Sequence, residues 1–330
     1  MRSKKTFSLD QHLDRVGARV NAALDRLLPP ETAEPPTIHK AMRYSIFAGG
    51  KRIRPVLCLT ACEAVGGRKP PLPREATLLR ISAGDSELTW GATPLSRGKA
   101  QAAMPLACAV ECIHTYSLIH DDLPCMDDDD FRRGKPTSHK IFGEGIAVLA
   151  GDALLTHAFI LIAKVSPPRP YSTAQLVREL ALAAGSEHLI AGQVQDLENE
   201  NRQATLDEVI ATHKNKTGAL ITASIRLGAM AGGASASELK RLTRYGQDLG
   251  LAFQIIDDVL DATSTKEVMG KSVGADAKNQ KSTFVTALGL EKSRAMAADL
   301  IADAHKQLKP FGKAAEPLRA IADFFLTRQK

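Results

Sequence analysis

The sequence predicts an all-α protein, one large helical domain of about ten helices, and three observations predict it. Apolar residues recur at intervals of three and four along most of the chain, alternating strand-like stretches are scarce, and glycine or proline pairs stand where helices should end. Leu9, Leu13, Val16, Val20, Leu24 and Leu27 form the first stripe; Ser8 and Gln11 make a capping box before it, and Pro29-Pro30 ends it. The same rhythm predicts helices over 39–48, 55–65, 104–123, 145–164, 173–195, 205–231, 236–262 and 291–308, punctuated by Gly49-Gly50, Gly66-Gly67, Pro167-Pro168, Gly232-Gly233 and Gly270. Residues 68–100 break it. They begin Arg68-Lys69-Pro70-Pro71-Leu72-Pro73, hold the single tryptophan, Trp90, and show weak periodicity. A structureless run of that length is unusual inside a compact domain, so it is expected to be an inserted loop peripheral to one domain spanning 1–330.

Composition narrows the function. The chain has 330 residues, 44% apolar and 24% charged, enough to bury a large core and exclude disorder as the dominant state. Charges sum to 43 − 37 = +6, which favours anionic partners but is too mild to argue for nucleic acid; 5% aromatic content offers little stacking surface. No unbroken apolar run approaches the ~18–20 residues of a membrane span, and the basic start, Met1-Arg2-Ser3-Lys4-Lys5, is not followed by a signal-peptide core. The expectation is a soluble, cytoplasmic protein. Of the five cysteines none forms Cys-x-x-Cys; Cys58/Cys62 and Cys108/Cys112, each four apart, read as inert thiols on core helices.

Two acidic segments carry the chemistry. One runs Ile119-His120-Asp121-Asp122-Leu123-Pro124-Cys125-Met126-Asp127-Asp128-Asp129-Asp130 and leads into Phe131-Arg132-Arg133-Gly134-Lys135; the other is Phe253-Gln254-Ile255-Ile256-Asp257-Asp258-Val259-Leu260-Asp261. Positions 257, 258 and 261 are expected on one side of a helix, since i and i+4 lie about 40° apart. Their neighbours are apolar, so three ionised carboxylates there repel one another and lose hydration. A divalent cation removes that cost, and all-oxygen donors suit Mg2+ or Mn2+. A solvated acidic face is the plain alternative for one such cluster. Six acids within ten residues, interrupted by Pro124 and followed by Arg132-Arg133, fit a metal-bound polyphosphate better. A basic counterpart, Gly49-Gly50-Lys51-Arg52-Ile53-Arg54-Pro55, puts three cations in a turn between helices, an anion site without the Gly-Lys-Ser/Thr of a Walker loop. Together these features point to two diphosphates, one held through metal and one held directly.

These residues, with Lys135-Pro136-Thr137, Leu149-Ala150-Gly151-Asp152-Ala153-Leu154-Leu155 and Lys216-Thr217-Gly218-Ala219-Leu220 in the same order, resemble the short-chain trans-polyprenyl diphosphate synthases, bacterial farnesyl and related geranylgeranyl synthases among them. The likeness spans nearly the whole chain apart from 68–100 and the extreme ends. It implies a helical bundle of the isoprenoid synthase type around a central substrate cavity, and a homodimer. It also implies head-to-tail condensation of isopentenyl diphosphate with allylic diphosphates (dimethylallyl, geranyl), with Mg2+ as cofactor and Mn2+ as an alternative. By the resemblance, Asp121, Asp127, Asp257, Asp258 and Asp261 hold metal on the allylic diphosphate, with Asp122 and Asp128 supporting. Arg132, Lys216, Thr217, Gln254 and Lys271 contact that diphosphate; Lys51, Arg54, His114 and Arg133 hold isopentenyl diphosphate; Gln193 and Lys281 lie nearby. His114 falls two turns before Asp121 on one helix face, which favours ligand contact over the usual satisfied core histidine.

Rival readings are a terpene cyclase, which has no use for an isopentenyl pocket, and a ferritin-like metal bundle. Glu111-Cys112-Ile113-His114 matches one Glu-x-x-His, but no second copy is found. A regulatory subunit of this family loses Asp-rich motifs, and both are intact. For chain length the expectation is C15, farnesyl diphosphate, with C20 the alternative. Tyr116, with Ser117 beside it, sits five residues before Asp121, roughly 7–8 Å down the helix, where an aromatic ring closes the growing product's tunnel.

Overall fold

The computed structural model describes residues 7–66, 102–200, 202–263 and 282–328. The stretch 68–100, Lys271 and Lys281 lie outside the described residues.

Helices dominate. Helix α1 (Leu9–Leu27) buries Val16, Val20, Ala23 and Leu24, and Ser8 Oγ accepts from the Gln11 backbone N–H at 3.5 Å, half of the expected capping box. After α2 (Pro36–Ile46) and α3 (Ile53–Gly66) comes α4 (Met104–Asp121). Leu106, Ala107, Cys108, Ala109, Val110, Cys112 and Ile113 on α4 are all fully buried, and a helix apolar all round belongs at the centre of a bundle. The four paired cysteines are buried free thiols, with burial raising the titration of Cys58, Cys108 and Cys112; Cys125 is exposed. A two-residue hairpin, β1 (Phe131–Arg132) antiparallel to β2 (Lys135–Pro136), separates α4 from the short α5 (Ser138–Phe142) and from α6 (Glu144–Ala163).

Helix α6 packs on α4 and α2. It is the one described helix long and apolar enough to cross a membrane, with 44% of its apolar window buried. Counting unbroken runs passes over it because Asp152 and His157 interrupt the pattern.

The stripe over 173–195 is two helices, α7 (Thr173–Ala184) and α8 (Leu189–Glu198). Gly185 weakens a helix interior by about 1 kcal/mol, and the chain turns there, with the Gly185 N–H on Leu182 O. The stripe over 205–231 is α9 (Leu206–His213), a π turn (Lys214–Gly218) and α10 (Ala219–Ala231). Helix α11 (Ala236–Thr263) is the longest of the described helices; α12 (Phe284–Leu288) and α13 (Leu290–Leu308) follow. A 3-10 segment (Lys309–Ala315) leads to α14 (Glu316–Thr327), which the sequence reading did not predict although Leu318, Ile321, Ala322 and Phe325 supply the stripe. Neighbours run α6, α4, α3, α10, α11, α13 across the bundle.

Candidate active site

At its C-terminus α4 delivers the first acidic cluster. Pro124 cannot continue the helix, and the chain folds back so that the Asp127 N–H bonds Asp121 O at 2.9 Å. Burial presses the Asp121 carboxyl up to about 6; Lys216 and Arg132 oppose that, while Asp127 and Asp122 add to it. Lys216 of the π turn and Asp127 of the fold-back therefore both face Asp121. Asp122 goes elsewhere. It is 4% exposed and accepts Arg132 Nε at 2.6 Å, and Arg132 also reaches Asp129 at 3.1 Å. Arg132, on β1, is thus aimed by two carboxylates.

The basic turn divides its three cations. Arg52 (φ 53°) points inward and donates to Asn21 Oδ1 at 2.8 Å, Glu111 Oε1 at 2.6 Å and Ile46 O at 2.6 Å, pinning the turn to α1, α2 and α4. Arg54 Nη1 lies 3.3 Å from His114 Nε2 and its Nε is buried without a partner. Burial brings Arg54 down to about 10 despite Glu111, and holds His114 well below the usual histidine range, with Arg54 and Arg133 adding to the effect. Both effects disfavour a charged His114. Lys51 Nζ lies 5.1 Å above the Phe324 ring. Arg133 crosses from the hairpin to Gly49 O, packing its guanidinium against Gly50, whose φ of 111° favours glycine. Glu111 and His114, the half ferritin signature, are taken up by Arg52 and Arg54 respectively.

Helix α11 brings the second cluster. Asp257 lies within electrostatic reach of Arg54, which links this helix to the basic turn. Burial pushes Asp257 up to about 6, with Arg328 opposing and Asp258 adding. Asp261 stands one turn on. Asp258 departs from the expected shared side: about 100° round the helix, it is 5% exposed and accepts the Phe284 N–H at 2.8 Å, with His213 Nε2 3.5 Å away. Gln254, one turn before, accepts from Thr217 Oγ1 at 2.9 Å, and Lys216 Nζ meets Asp196 Oδ2 at 2.6 Å. A Cβ on Gly192 would lie 2.1 Å from the Lys216 backbone nitrogen; its absence lets α8 press against the π turn, where the wider backbone presents Lys216 and Thr217 together.

Tyr116 is 5% exposed, its ring edge-on to His120 at 5.8 Å and its hydroxyl buried without a partner. Ser117 Oγ bonds His114 O at 3.0 Å. Asp196 and Arg328 do not stand out in the sequence; Arg52 reads there only as one of the turn's three cations, and Glu111 only as part of the half ferritin signature. Glu111 had a signal, a lone acid on an apolar helix; Asp196 and Arg328 had none, because their partners are distant in sequence.

Among the described residues no three acid, thiol or imidazole side chains form a ready-made cage for a metal. The donor set still fits Mg2+ or Mn2+: carboxylates crowded enough to sit near 6, which a cation would relieve, and a hard ion that draws its other oxygens from water and phosphate.

The polyprenyl synthetase family model matches residues 35–317. The chain is 45% identical to the heterodimeric geranylgeranyl pyrophosphate synthase large subunit 1 of Arabidopsis thaliana, over 94% of this chain and 76% of that one. It is 42% identical to the geranylgeranyl pyrophosphate synthase of Capsicum annuum, over 99% and 80%. The crystal structure of an FPP/GFPP synthase from Zymomonas mobilis superposes with a TM-score of 0.78 at 34% identity, covering 97% of this chain and 99% of that one. The all-α isoprenoid synthase fold expected from the motifs is therefore the fold of this molecule, and the chain belongs to the polyprenyl synthetase family.

Proposed function

We propose that this prenyltransferase condenses isopentenyl diphosphate with allylic diphosphates and releases geranylgeranyl diphosphate, C20, as its main product. The observation that carries the reaction is the pairing of two unlike anion sites: carboxylates of α4 and α11 on one side, and Arg54 with an orphaned buried Nε beside His114 on the other. A metal-free cation site accepts a diphosphate directly; a carboxylate site accepts one only through metal.

A bound Mg2+ or Mn2+ would supply charge for the allylic diphosphate as its carbon–oxygen bond breaks. Asp121, Asp127, Asp257 and Asp261 are the residues that would hold it; Asp258 is assigned to the fold, given its bond to Phe284. Lys216 and Arg132, each already oriented by a carboxylate, stabilise the departing diphosphate from the protein side. Thr217 and Gln254 position it. Arg54, Lys51, Arg133 and His114 hold isopentenyl diphosphate so that its double bond attacks the allylic cation. One carbon–carbon bond forms, one carbon–oxygen bond breaks, and the proton lost from the isopentenyl unit passes to the released diphosphate. Apolar walls on α4 exclude the water that would quench the cation.

Product length has two supports that disagree. The names borne by the two curated relatives favour C20; Tyr116, buried one and a half turns before Asp121, favours C15 by closing the tunnel. Incubation with labelled isopentenyl diphosphate and each allylic primer, then chromatography of the dephosphorylated products, decides between them. Mainly C20 from the wild type supports the proposal. Mainly C15, with Tyr116→Ala lengthening the products, replaces it with farnesyl diphosphate.

A further inference from the structure

We infer that Arg328 is the resident counter-ion of Asp257, a guanidinium that a divalent cation must displace before the second carboxylate cluster can take it. The inference rests on the metal-dependent reading of the site. At the end of α14 the chain turns extended, and Arg328 Nη2 donates to Asp257 Oδ1 at 2.6 Å and to Phe253 O at 2.9 Å. The guanidinium lies 4.0 Å from the Phe253 ring centroid, and its side chain is 9% exposed. This is not a solvated surface pair.

It is also an incomplete one. An arginine fork facing a carboxylate can give two parallel bonds; here one nitrogen serves both the carboxylate and a carbonyl, and Nε is buried with no acceptor. A buried cation left partly unsatisfied is weakly held for its burial. Asp257 remains 38% exposed on its other side, open to a second cation.

Metal and guanidinium then compete for one carboxylate. A divalent ion on Asp257 repels a guanidinium in contact with the same oxygens, and by linkage each weakens the other by the same factor. An inorganic or allylic diphosphate arriving with the metal changes the balance, because it offers the displaced guanidinium new oxygens. Arg328 therefore makes the cluster poor at taking metal alone and better at taking metal with diphosphate. The movement begins beyond Phe325, three residues before, which is fully buried and packs on Phe253 at 4.8 Å.

The test counts bound Mn2+ on the full-length protein by loss of the free-ion spin-resonance signal, without substrate and again with inorganic diphosphate. Arg328→Gln should bind Mn2+ alone at least about fivefold more tightly than wild type, the low end of ordinary binding linkage, and gain less from diphosphate. Asp257→Asn should weaken Mn2+ binding in both conditions. If Arg328→Gln leaves Mn2+ affinity unchanged or lower while Asp257→Asn weakens it, the counter-ion inference is wrong and the metal site stands. If Asp257→Asn changes nothing, the metal reading falls and takes the inference with it. Should Arg328→Gln not fold, amide hydrogen exchange on the wild type decides: faster exchange over 326–328 on adding Mn2+ and diphosphate supports displacement, and unchanged exchange overturns it.

Discussion

Single carboxylates in this site are distinguished by what already holds them. Asp121 and Asp257 are crowded by protein and by other acids, so each sits near 6 and each gains most from a cation. Replacing either with Asn should lower kcat about a hundredfold or more, with Asp261→Asn milder; steady-state turnover at saturating Mg2+ reads this. Full turnover after treatment with EDTA would contradict the whole assignment. The basic residues divide by substrate. Arg54→Gln removes the cation with the orphaned Nε, and it should raise KM for isopentenyl diphosphate well above any change in KM for the allylic substrate. Equal increases for both would mean that Arg54 does not belong to an isopentenyl diphosphate site.

At the scale of elements, two aspartates on α11 are held by groups of the protein itself. Asp258 ties the starts of α12 and the end of α9 to α11, through the Phe284 N–H and His213. Asp258→Ala leaves that buried N–H without an acceptor and should cost about 1–3 kcal/mol in urea unfolding, whereas Asp258→Asn, which keeps an acceptor, should cost less. A large loss of Mn2+ binding with no loss of stability would instead make Asp258 a metal ligand.

Asp248, two turns before Gln254, is 2% exposed with Oδ2 unpartnered. Burial raises it to about 6 against the pull of Arg244 at 3.1 Å and Lys214, with Asp303 adding to the rise. A raised carboxyl binds its proton more tightly folded than unfolded, so stability is full below the unfolded value near 4 and falls as pH climbs through about 6. Asp248→Asn should therefore stabilise the protein by about 1 kcal/mol at pH 8 and less at pH 5. Melting temperatures at the two pH values test it, and equal shifts would count against the titration.

Across the whole molecule, three neighbouring helices carry exposed apolar side chains among the described residues. Val148, Leu149 and Ile160 of α6, Leu182 of α7, and Ile190, Val194 and Leu197 of α8 are all exposed. Exposed apolar side chains grouped on packed helices suit an interface, and a second copy of the chain is the partner the homodimer expectation names. Light scattering should give twice the 35.4 kDa chain mass, and Leu149→Lys with Val194→Lys should halve it. A wild-type mass of one chain would leave these side chains to another partner.

What the sequence determined by itself is what depends on local spacing. Stripes at three and four residues specify helices because side chains so spaced share a face, and the order of five short motifs identifies the family. Even so, Gly185 and the π turn at Lys214–Gly218 split stripes that look continuous, and α14 forms where no helix was predicted. What only the tertiary structure decided is which groups of like sequence do unlike work. Asp257 and Asp258 are neighbours in the chain, yet one faces Arg54 and Arg328 while the other caps α12. Lys51, Arg52 and Arg54 share one turn, yet Arg52 turns into Glu111 and holds that turn in place. The physical reason is that a carboxylate or guanidinium takes its role from the charges and donors around it, and here those partners lie tens of residues away in the sequence.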